Sequence, residues 1–166
     1  MSFVTSTDSP DITTIGVISD THGLLRPEAL TALMGVERII HAGDIGSPSI
    51  LEKLQTIAPV IAVRGNNDKG AWAEVIPETL LIEVRGHSIH VLHDLALIDL
   101  SPAAAGIAVV ISGHSHKPQV TEREGVLFVN PGSAGPRRFR LPIAVAKIHV
   151  GNESVHAEIL ELRLPG

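Results

Sequence analysis

Short apolar runs rich in Ile and Val recur along the chain, and in its first half they alternate with segments of helical pattern. Such alternation predicts βαβαβ units around a buried sheet. Pro27 and Pro48 stand where helices would start, and Gly35 stands where the first would end. The predicted strands are 12–19, 36–42 and 60–64, and the predicted helices are 27–34 and 47–57.

From Leu80 the pattern changes to strand pairs that flank glycine-containing turns, which indicates antiparallel hairpins. The predicted strands here are 80–84, 88–92, 107–111, 119–121, 126–129, 143–150 and 154–162, with a short helix over 101–105. We therefore expect one α/β domain over residues 13–166, with mixed sheets and helices on their outer faces. The polar residues 1–12 are predicted to form a flexible tail.

Composition narrows the functional class. The net charge of −5 and the aromatic content of 2% argue against both a polyanion-binding surface and a base-stacking platform, so we expect no stable nucleic-acid complex. No apolar run approaches the roughly 20 residues of a membrane-spanning helix. The chain has no cysteine, which excludes thiol nucleophiles and thiolate metal sites and fits a cytoplasmic location.

Residues able to bind metal follow one predicted strand after another. In sheets built from βα units, ligand sites gather beyond the carboxyl ends of the strands, so these segments are expected to converge. Aspartate, asparagine and histidine suit Mn²⁺, Fe²⁺, Ni²⁺ or Zn²⁺. The segments are Asp20 and His22, Asp44, Asn66 to Asp68, His93, and His114 with His116.

Two of these segments place ligands at positions i and i+2. In extended chain such residues point to the same side, so Asp20 with His22, and His114 with His116, are each expected to face one place. Glycines at 23, 43, 65 and 113 are expected to allow the tight turns that such a site requires.

This ordered set resembles the metallophosphoesterase superfamily, whose motifs run Asp-x-His, Gly-Asp, Gly-Asn-x-Asp, His and Gly-His-x-His. The similarity is strongest to its small YfcE-like phosphodiesterase branch, because residues 18–23 (ISDTHG), 41–47 (HAGDIGS) and 130–133 (NPGS) also look like that branch. The resemblance covers nearly all of the chain after the tail. It implies a calcineurin-like αββα sandwich, with two mixed sheets packed face to face and helices outside.

The resemblance also implies roles for the residues. Asp20, His22 and His116 would hold one divalent ion, Asn66, His93 and His114 a second, and Asp44 would bridge them. A hydroxide between the ions would attack the phosphorus of a small phosphodiester, with Mn²⁺ the expected metal. Two divalent ions, two carboxylates and one hydroxide leave a charge of about +1, which matches the single negative charge of a diester. The catalytic candidates on this reading are Asp44, Asn66 and Asp68, of which Asp68 is expected to orient or screen the site and not to bind a metal.

Several alternatives stay open at this stage. A phosphomonoesterase acting on small metabolites is one rival. A metal-free interaction scaffold is another, since the phosphoesterase-fold subunit of the retromer coat resembles this branch and works by binding proteins. Assembly into a homo-oligomer also stays open.

The roles of some further residues are open as well. His41 is a candidate for a hydrogen bond to a ligand. Asn67 stands where relatives outside the branch place a histidine that protonates the leaving oxygen and where the branch commonly has cysteine. The arginines at 137, 138 and 140 are interpreted as a solvated loop, and the histidines at 87, 90, 149 and 156 as surface residues.

Overall fold

The first half of the chain forms the predicted βαβαβ succession. The structure is a computed structural model that describes residues 11–165, so the predicted tail falls almost wholly outside it; Ile12 already begins the first strand. A short third helix was not predicted. The elements are β1 (Ile12–Ile18), α1 (Pro27–Ala32), β2 (Arg38–His41), α2 (Pro48–Gln55), β3 (Val60–Ala62) and α3 (Ala71–Glu74).

The second half is built from strands at the predicted places, namely β4 (Thr79–Val84), β5 (His87–Leu92), β6 (Ile107–Ile111), β7 (Gln119–Arg123), β8 (Val126–Asn130), β9 (Ala144–Gly151) and β10 (Val155–Glu161). The helix predicted over 101–105 is wrong. This stretch forms turns, and the local helix is instead a 3₁₀ turn at Leu95–Leu97. Between Pro102 and Gly106 there is room for only one helical turn. So short a helix forms too few hydrogen bonds to offset the unfavourable free energy of helix nucleation.

Two mixed five-stranded sheets result. The first has the strand order β10-β9-β1-β2-β3, in which β1, β2 and β3 run parallel, β9 pairs antiparallel with β1, and β10 pairs antiparallel with β9. The second has the order β4-β5-β6-β8-β7, in which β5, β6 and β8 run parallel and the edge strands run antiparallel. Each sheet thus contains three neighbouring parallel strands, and within each sheet their carboxyl ends lie on the same side.

The sheets pack face to face around an aliphatic core, as in the predicted calcineurin-like sandwich. Ile15, Val17 and Ile40 of the first sheet pack with Val109 and Ile111 of the second. Apolar residues of all three α-helices cover the outer face of the first sheet. On the second sheet the cover differs from the prediction, because among the described residues it is the 3₁₀ turn and its neighbouring segment that pack there instead of an α-helix.

The predicted ligands all follow the carboxyl ends of parallel strands. Asp20, Asp44 and Asn66 come after β1, β2 and β3, whereas His93 and His114 come after β5 and β6. The site therefore draws on both sheets, at the edge where the parallel strands of each sheet end. No helix within residues 11–165 is long and apolar enough to cross a membrane.

Candidate metal centre

The predicted ligands converge on two adjoining groups. Asp20, His22 and His116 form the first group, and Asp44, His93 and His114 form the second; within each group the potential ligand atoms lie within 4.8 Å of one another. The groups are in direct contact, because His22 Nε2 lies 3.7 Å from Asp44 Oδ2. The structure thus brings together residues that are up to 96 positions apart in the chain, as counted from Asp20 to His116.

The backbone at the centre adopts an uncommon conformation. Five of the predicted ligands have positive φ: Asp20 (55°), His22 (47°), Asp44 (55°), His114 (71°) and His116 (63°). The i and i+2 pairs are therefore not extended, and left-handed turns orient their side chains instead. Asp20 and His22 still lie in one group as expected, whereas His114 and His116 lie in different groups. Such residues cost of order 1–3 kcal/mol each and cluster at functional sites, where the surrounding structure over-determines them.

The two carboxylate oxygens of Asp20 have different surroundings. Oδ2 accepts hydrogen bonds from the Ser19 hydroxyl at 2.8 Å and from the His114 backbone N–H at 3.1 Å. Oδ1 is buried without a hydrogen-bond partner and lies 3.3 Å from His116 Nε2 and 3.8 Å from His22 Nε2. The carboxylate is therefore fixed through one oxygen and presents the other to the cluster.

His93 is held in one tautomer. Its Nδ1 donates to the Ala42 carbonyl at 2.7 Å, which leaves the Nε2 lone pair facing Asp44 Oδ2 at 3.3 Å. A metal-ligating histidine usually donates its other ring N–H to such a carbonyl. His93 therefore belongs to the cluster, with Nε2 turned toward the carboxylates of both Asp44 and Asp20.

The charges of this pair depend on each other. Burial opposes the charged form of the Asp44 carboxyl, but the contact with His93 and the hydrogen bonds from Asn67 outweigh burial and hold the pKa of Asp44 below its usual value. Burial likewise disfavours protonated His93, but the carboxylates of Asp44 and Asp20 raise the pKa of His93 above its usual value. The centre therefore attracts positive charge.

The donor set fits metal ions. The buried atoms Asp20 Oδ1, His22 Nε2, His93 Nε2 and His116 Nδ1 have no hydrogen-bond partner. A buried polar atom left unsatisfied costs roughly 1–3 kcal/mol. Four such atoms in one place therefore indicate a site for a bound ion. Carboxylate oxygen and imidazole nitrogen are the donors that Mn²⁺, Fe²⁺, Ni²⁺ and Zn²⁺ accept.

Asn66, Asn67 and His114 form the solvent-exposed side of the centre. Asn66 Oδ1 lies 3.2 Å from His114 Nδ1, as expected if both belong to the second group. Asn67 donates its backbone N–H to Asp44 Oδ1 at 2.9 Å and its side-chain amide to Asp44 Oδ2 at 3.0 Å. Asn67 thus fixes the Asp44 carboxylate from the open side of the centre.

His41 is fully buried and lies beneath the ligand loops, but its ring does not bond a ligand side chain. Its Nε2 contacts Thr21 Oγ1 at 3.0 Å, and its Nδ1 accepts from the Gly43 backbone N–H at 3.1 Å. Because Thr21 Oγ1 donates to the Ile45 carbonyl at 2.7 Å, the hydrogen of His41 lies on Nε2. Burial lowers the pKa of His41 to about 4, so the ring is neutral near pH 7. It ties the turn at Thr21 to the turn before Asp44.

Asp68 fastens two ligand loops together. Its Oδ2 accepts from the backbone N–H groups of Gly65 at 2.9 Å and Ile45 at 3.1 Å, and its Oδ1 accepts from Gly46 at 3.0 Å. Only 5% of Asp68 is exposed, so its oxygens do not face a substrate. It is a positioning residue for Asp44 and Asn66, in line with the orienting role that the sequence suggested.

Sequence reasoning assigned no role to three further residues that shape the centre. Ser19 bonds Asp20, Ser133 Oγ donates to the Asp20 carbonyl at 3.0 Å, and Asn130 Nδ2 donates to the Gly113 carbonyl at 3.0 Å. A Cβ on Gly113 would lie 2.8 Å from Asp20 Oδ2, so only glycine lets this loop close on Asp20. The sequence did contain a signal for Asn130 and Ser133, because both belong to the family-like motif at residues 130–133.

The structure agrees with the predicted surface position of the arginines at 137, 138 and 140 but not with that of His90. The arginines at 137, 138 and 140 are exposed, and Arg137 donates to the Leu141 carbonyl within its own loop, which agrees with a solvated loop. His90, however, is not a surface residue. Only 7% of it is exposed, and its Nδ1 contacts the Leu80 carbonyl at 3.2 Å. Its side chain stands on the face of the second sheet where Leu97 and Ile98 also line the surroundings of His90.

Comparison with known proteins agrees with this geometry. Residues 14–153 match the calcineurin-like phosphoesterase superfamily domain. The chain belongs to this family. A probable metallophosphoesterase of Methanothermobacter thermautotrophicus is 37% identical to this calcineurin-like phosphoesterase over 163 residues, covering 91% of this chain and 94% of the relative. A phosphodiesterase of Methanocaldococcus jannaschii is 28% identical over 137 residues, covering 71% of this chain and 82% of the relative.

Solved structures share the fold of this calcineurin-like phosphoesterase. Vacuolar protein sorting 29 from Cryptosporidium parvum has a TM-score of 0.78 at 20% identity, and the match covers 92% of each chain. The phosphoesterase YfcE from E. coli has a TM-score of 0.65 at 20% identity, covering 91% of this chain and all of YfcE. The predicted family and the predicted sandwich fold are both confirmed.

Proposed function

We propose that the domain over residues 13–166 hydrolyses phosphodiesters at two divalent metal ions held by the converged ligand groups. Membership of a metal-dependent phosphoesterase family supports the hydrolase class. The observation that carries the proposal is the set of four buried donor atoms without partners, which come from the loops after β1, β5 and β6.

We assign Asp20, His22 and His116 to one ion, and Asn66, His93 and His114 to the other, with Asp44 between them. Asp20 contacts His22 and His116, which supports their assignment to one ion. Asp44 contacts His22 of the first group and His93 of the second, which supports its place between the two ions. When bound, two such ions would polarise phosphoryl oxygens and lower the pKa of a coordinated water. Mn²⁺ is the metal we propose, with Ni²⁺, Fe²⁺ and Zn²⁺ as alternatives.

The protein's own residues supply positioning. Ala42 fixes the tautomer of His93, Ser19 fixes the Asp20 carboxylate, and Asp68 holds the Asp44 and Asn66 loops together. The exposed amides of Asn66 and Asn67 border the approach for the phosphate. Because these groups are arranged before substrate arrives, little reorganisation is needed during reaction.

Diesters are favoured over monoesters by charge. With two divalent ions and one hydroxide, Asp20 and Asp44 would leave a charge of about +1, and Asp94 Oδ2 adds a negative charge 3.8 Å from His114 Nε2, so a second negative charge on a substrate is disfavoured. The phosphodiesterase name of the M. jannaschii relative agrees with this class.

A non-catalytic scaffold is the second candidate, because the vacuolar protein sorting 29 structure has the same fold. Against it, every predicted ligand position in this chain carries a side chain able to bind metal. A protein that only binds partners has no need for this complete set.

The test is a metal-by-substrate screen on chelator-treated protein. Bis(p-nitrophenyl) phosphate and p-nitrophenyl phosphate are assayed side by side with Mn²⁺, Ni²⁺, Fe²⁺ or Zn²⁺, while elemental analysis counts the bound metal. We expect up to two ions per chain, loss of activity on chelation, recovery with Mn²⁺ and preference for the diester. Full diesterase activity in protein without detectable metal would overturn the two-metal mechanism. Metal binding without hydrolysis of either ester would favour the scaffold.

A further inference from the structure

A cleft of about 670 Å³ opens beside the candidate metal centre, on the outer face of the second sheet. One wall is the hairpin of β7 and β8, and the opposite wall includes Asp94 and Leu95. Its inner end is formed by the loop from Gly113 to Ser115, which carries His114 of the metal centre. A molecule bound in this cleft would therefore lie next to a phosphate held at the centre.

The hairpin wall presents a flat aromatic surface. The guanidinium carbon of Arg123 lies 4.3 Å from the centroid of the Phe128 ring, so the two planar groups form a cation–π pair. Thr121 is the cross-strand partner of Phe128, and Gln119 is the partner of Asn130, so their side chains stand along the same wall. The wall thus combines a stacking surface with hydrogen-bonding groups at its edge.

The same wall is tied directly to the metal-binding loop. Asn130, the last residue of β8, donates its side-chain amide to the Gly113 carbonyl at 3.0 Å and to Ser115 Oγ at 3.0 Å. Asn130 Oδ1 in turn accepts from the Gly132 N–H at 2.9 Å. These bonds fix the distance between the aromatic surface and His114, as a substrate subsite requires.

We propose that this cleft binds a planar aromatic arm of the phosphodiester substrate, such as a nucleobase, stacked against the Arg123 and Phe128 pair. The inference rests on the proposed phosphodiesterase function and narrows its substrate class. A second phosphate would use less of this lining, because the Arg123 guanidinium is already engaged with the Phe128 ring and Asp94 adds negative charge. A nucleoside offers both a flat ring for Phe128 and polar edges for Gln119 and Thr121.

The experiment measures binding directly by calorimetry on the metal-loaded protein. Three diesters with poor leaving groups serve as probes: dimethyl phosphate, methyl phenyl phosphate and thymidine 5′-methyl phosphate. The variants are Arg123→Ala and Phe128→Leu, and Arg38→Ala is the control, since Arg38 is an exposed arginine at the amino end of β2, away from the ligand loops. Hydrolysis of bis(p-nitrophenyl) phosphate is assayed in parallel.

Stacking of a base on an aromatic side chain corresponds to roughly 5- to 150-fold in affinity. We expect thymidine 5′-methyl phosphate to bind about 10-fold more tightly than dimethyl phosphate, with the phenyl ester between them. Arg123→Ala and Phe128→Leu should remove most of this difference and leave the affinity for dimethyl phosphate unchanged. Arg38→Ala should alter none of the three affinities.

Equal affinities for the three probes, or an equal loss for all of them in both variants, would overturn the cleft assignment. If bis(p-nitrophenyl) phosphate is still hydrolysed, the proposed function survives that failure; if it is not hydrolysed with any metal, the proposed function fails instead. Phe128 packs against the buried Leu92, Ile107 and Val110 cluster, so the melting temperature of Phe128→Leu is checked. The exposed Arg123→Ala variant keeps the test valid if Phe128→Leu unfolds.

Discussion

His93 Nε2 lies 3.3 Å from Asp44 Oδ2 and 3.8 Å from Asp20 Oδ1, so one residue of the second sheet contacts both carboxylates of the first. The two sheets therefore meet at the centre as well as in the aliphatic core. A shift of one sheet against the other would separate His93 from its partners, which makes the packing of the sandwich part of the site.

The first prediction concerns Asp44. Asp44→Asn removes a charged ligand proposed to be shared by both ions, whereas His41→Asn removes only hydrogen bonds to Thr21 and Gly43. Losses from residues that orient ligands are usually about 10–100-fold, so diesterase activity should fall further in Asp44→Asn. The measurement is kcat/KM, with the folded fraction of each variant verified by circular dichroism. Equal losses in two folded variants would contradict the bridging role.

The second prediction concerns Asn67, which cannot protonate a leaving oxygen near neutral pH. A general acid typically contributes about 10²–10⁴-fold to rate, most of all when the leaving group is poor. Diesters of acidic phenols should therefore be cleaved well and simple alkyl diesters poorly. The measurement is the slope of log kcat against leaving-group pKa, in the wild type and in Asn67→His.

A steep negative slope that becomes shallower in Asn67→His would support this account. A flat slope in the wild type, with chemistry shown to limit the rate, would refute it. Asn67→Gln is the matched control, because it keeps an amide that cannot donate a proton as an acid.

The third prediction is a pH dependence of stability that arises from His41. Its pKa is about 4 in the folded protein against 6.5 for the unperturbed side chain, because burial disfavours the charged ring. On acidification the unfolded state takes up this proton first, so stability is lost as the pH falls from about 6.5 to about 4. From pH 7 to pH 5 the loss from this residue is about 2 kcal/mol.

Urea denaturation of chelator-treated protein at pH 7 and pH 5 measures this effect. In His41→Gln the decrease in the free energy of unfolding should be smaller by roughly that amount, whatever the stability of the variant at pH 7. The same decrease in both proteins would show that His41 does not titrate as described.

The fourth prediction concerns Asp94, whose carboxylate adds negative charge beside His114. Asp94→Asn should raise kcat/KM for p-nitrophenyl phosphate, a dianion, more than for its monoanionic diester, changing the ratio by about 2- to 10-fold. Asparagine can still cap the 3₁₀ turn through Ala96 N–H, so the local structure is retained. Glu153→Gln, in the hairpin at the opposite end of the first sheet, is the control and should leave the ratio unchanged. An unchanged ratio in Asp94→Asn would show that this charge does not select the substrate.

The sequence by itself determined the succession of strands and the identity of the candidate ligands. Hydrophobic periodicity and the glycines and prolines that end elements are local properties of the chain. The strand β6 was therefore predicted at its observed bounds, and β8 was predicted to within one residue. The ligand types were also readable, because carboxylates and imidazoles after successive strands suit a particular class of metal.

Tertiary structure alone decided how those ligands are aimed and held. The left-handed turns at Asp20 and Asp44 are imposed by contacts with distant loops, such as the bond from Asp20 N–H to the Gly43 carbonyl at 3.0 Å. The burial of His41 and the clamp made by Asp68 likewise depend on loops that meet only when the sheets pack. A hydrogen bond between residues 20 or more positions apart cannot be predicted from local sequence, because the packing of the whole sandwich determines which residues meet.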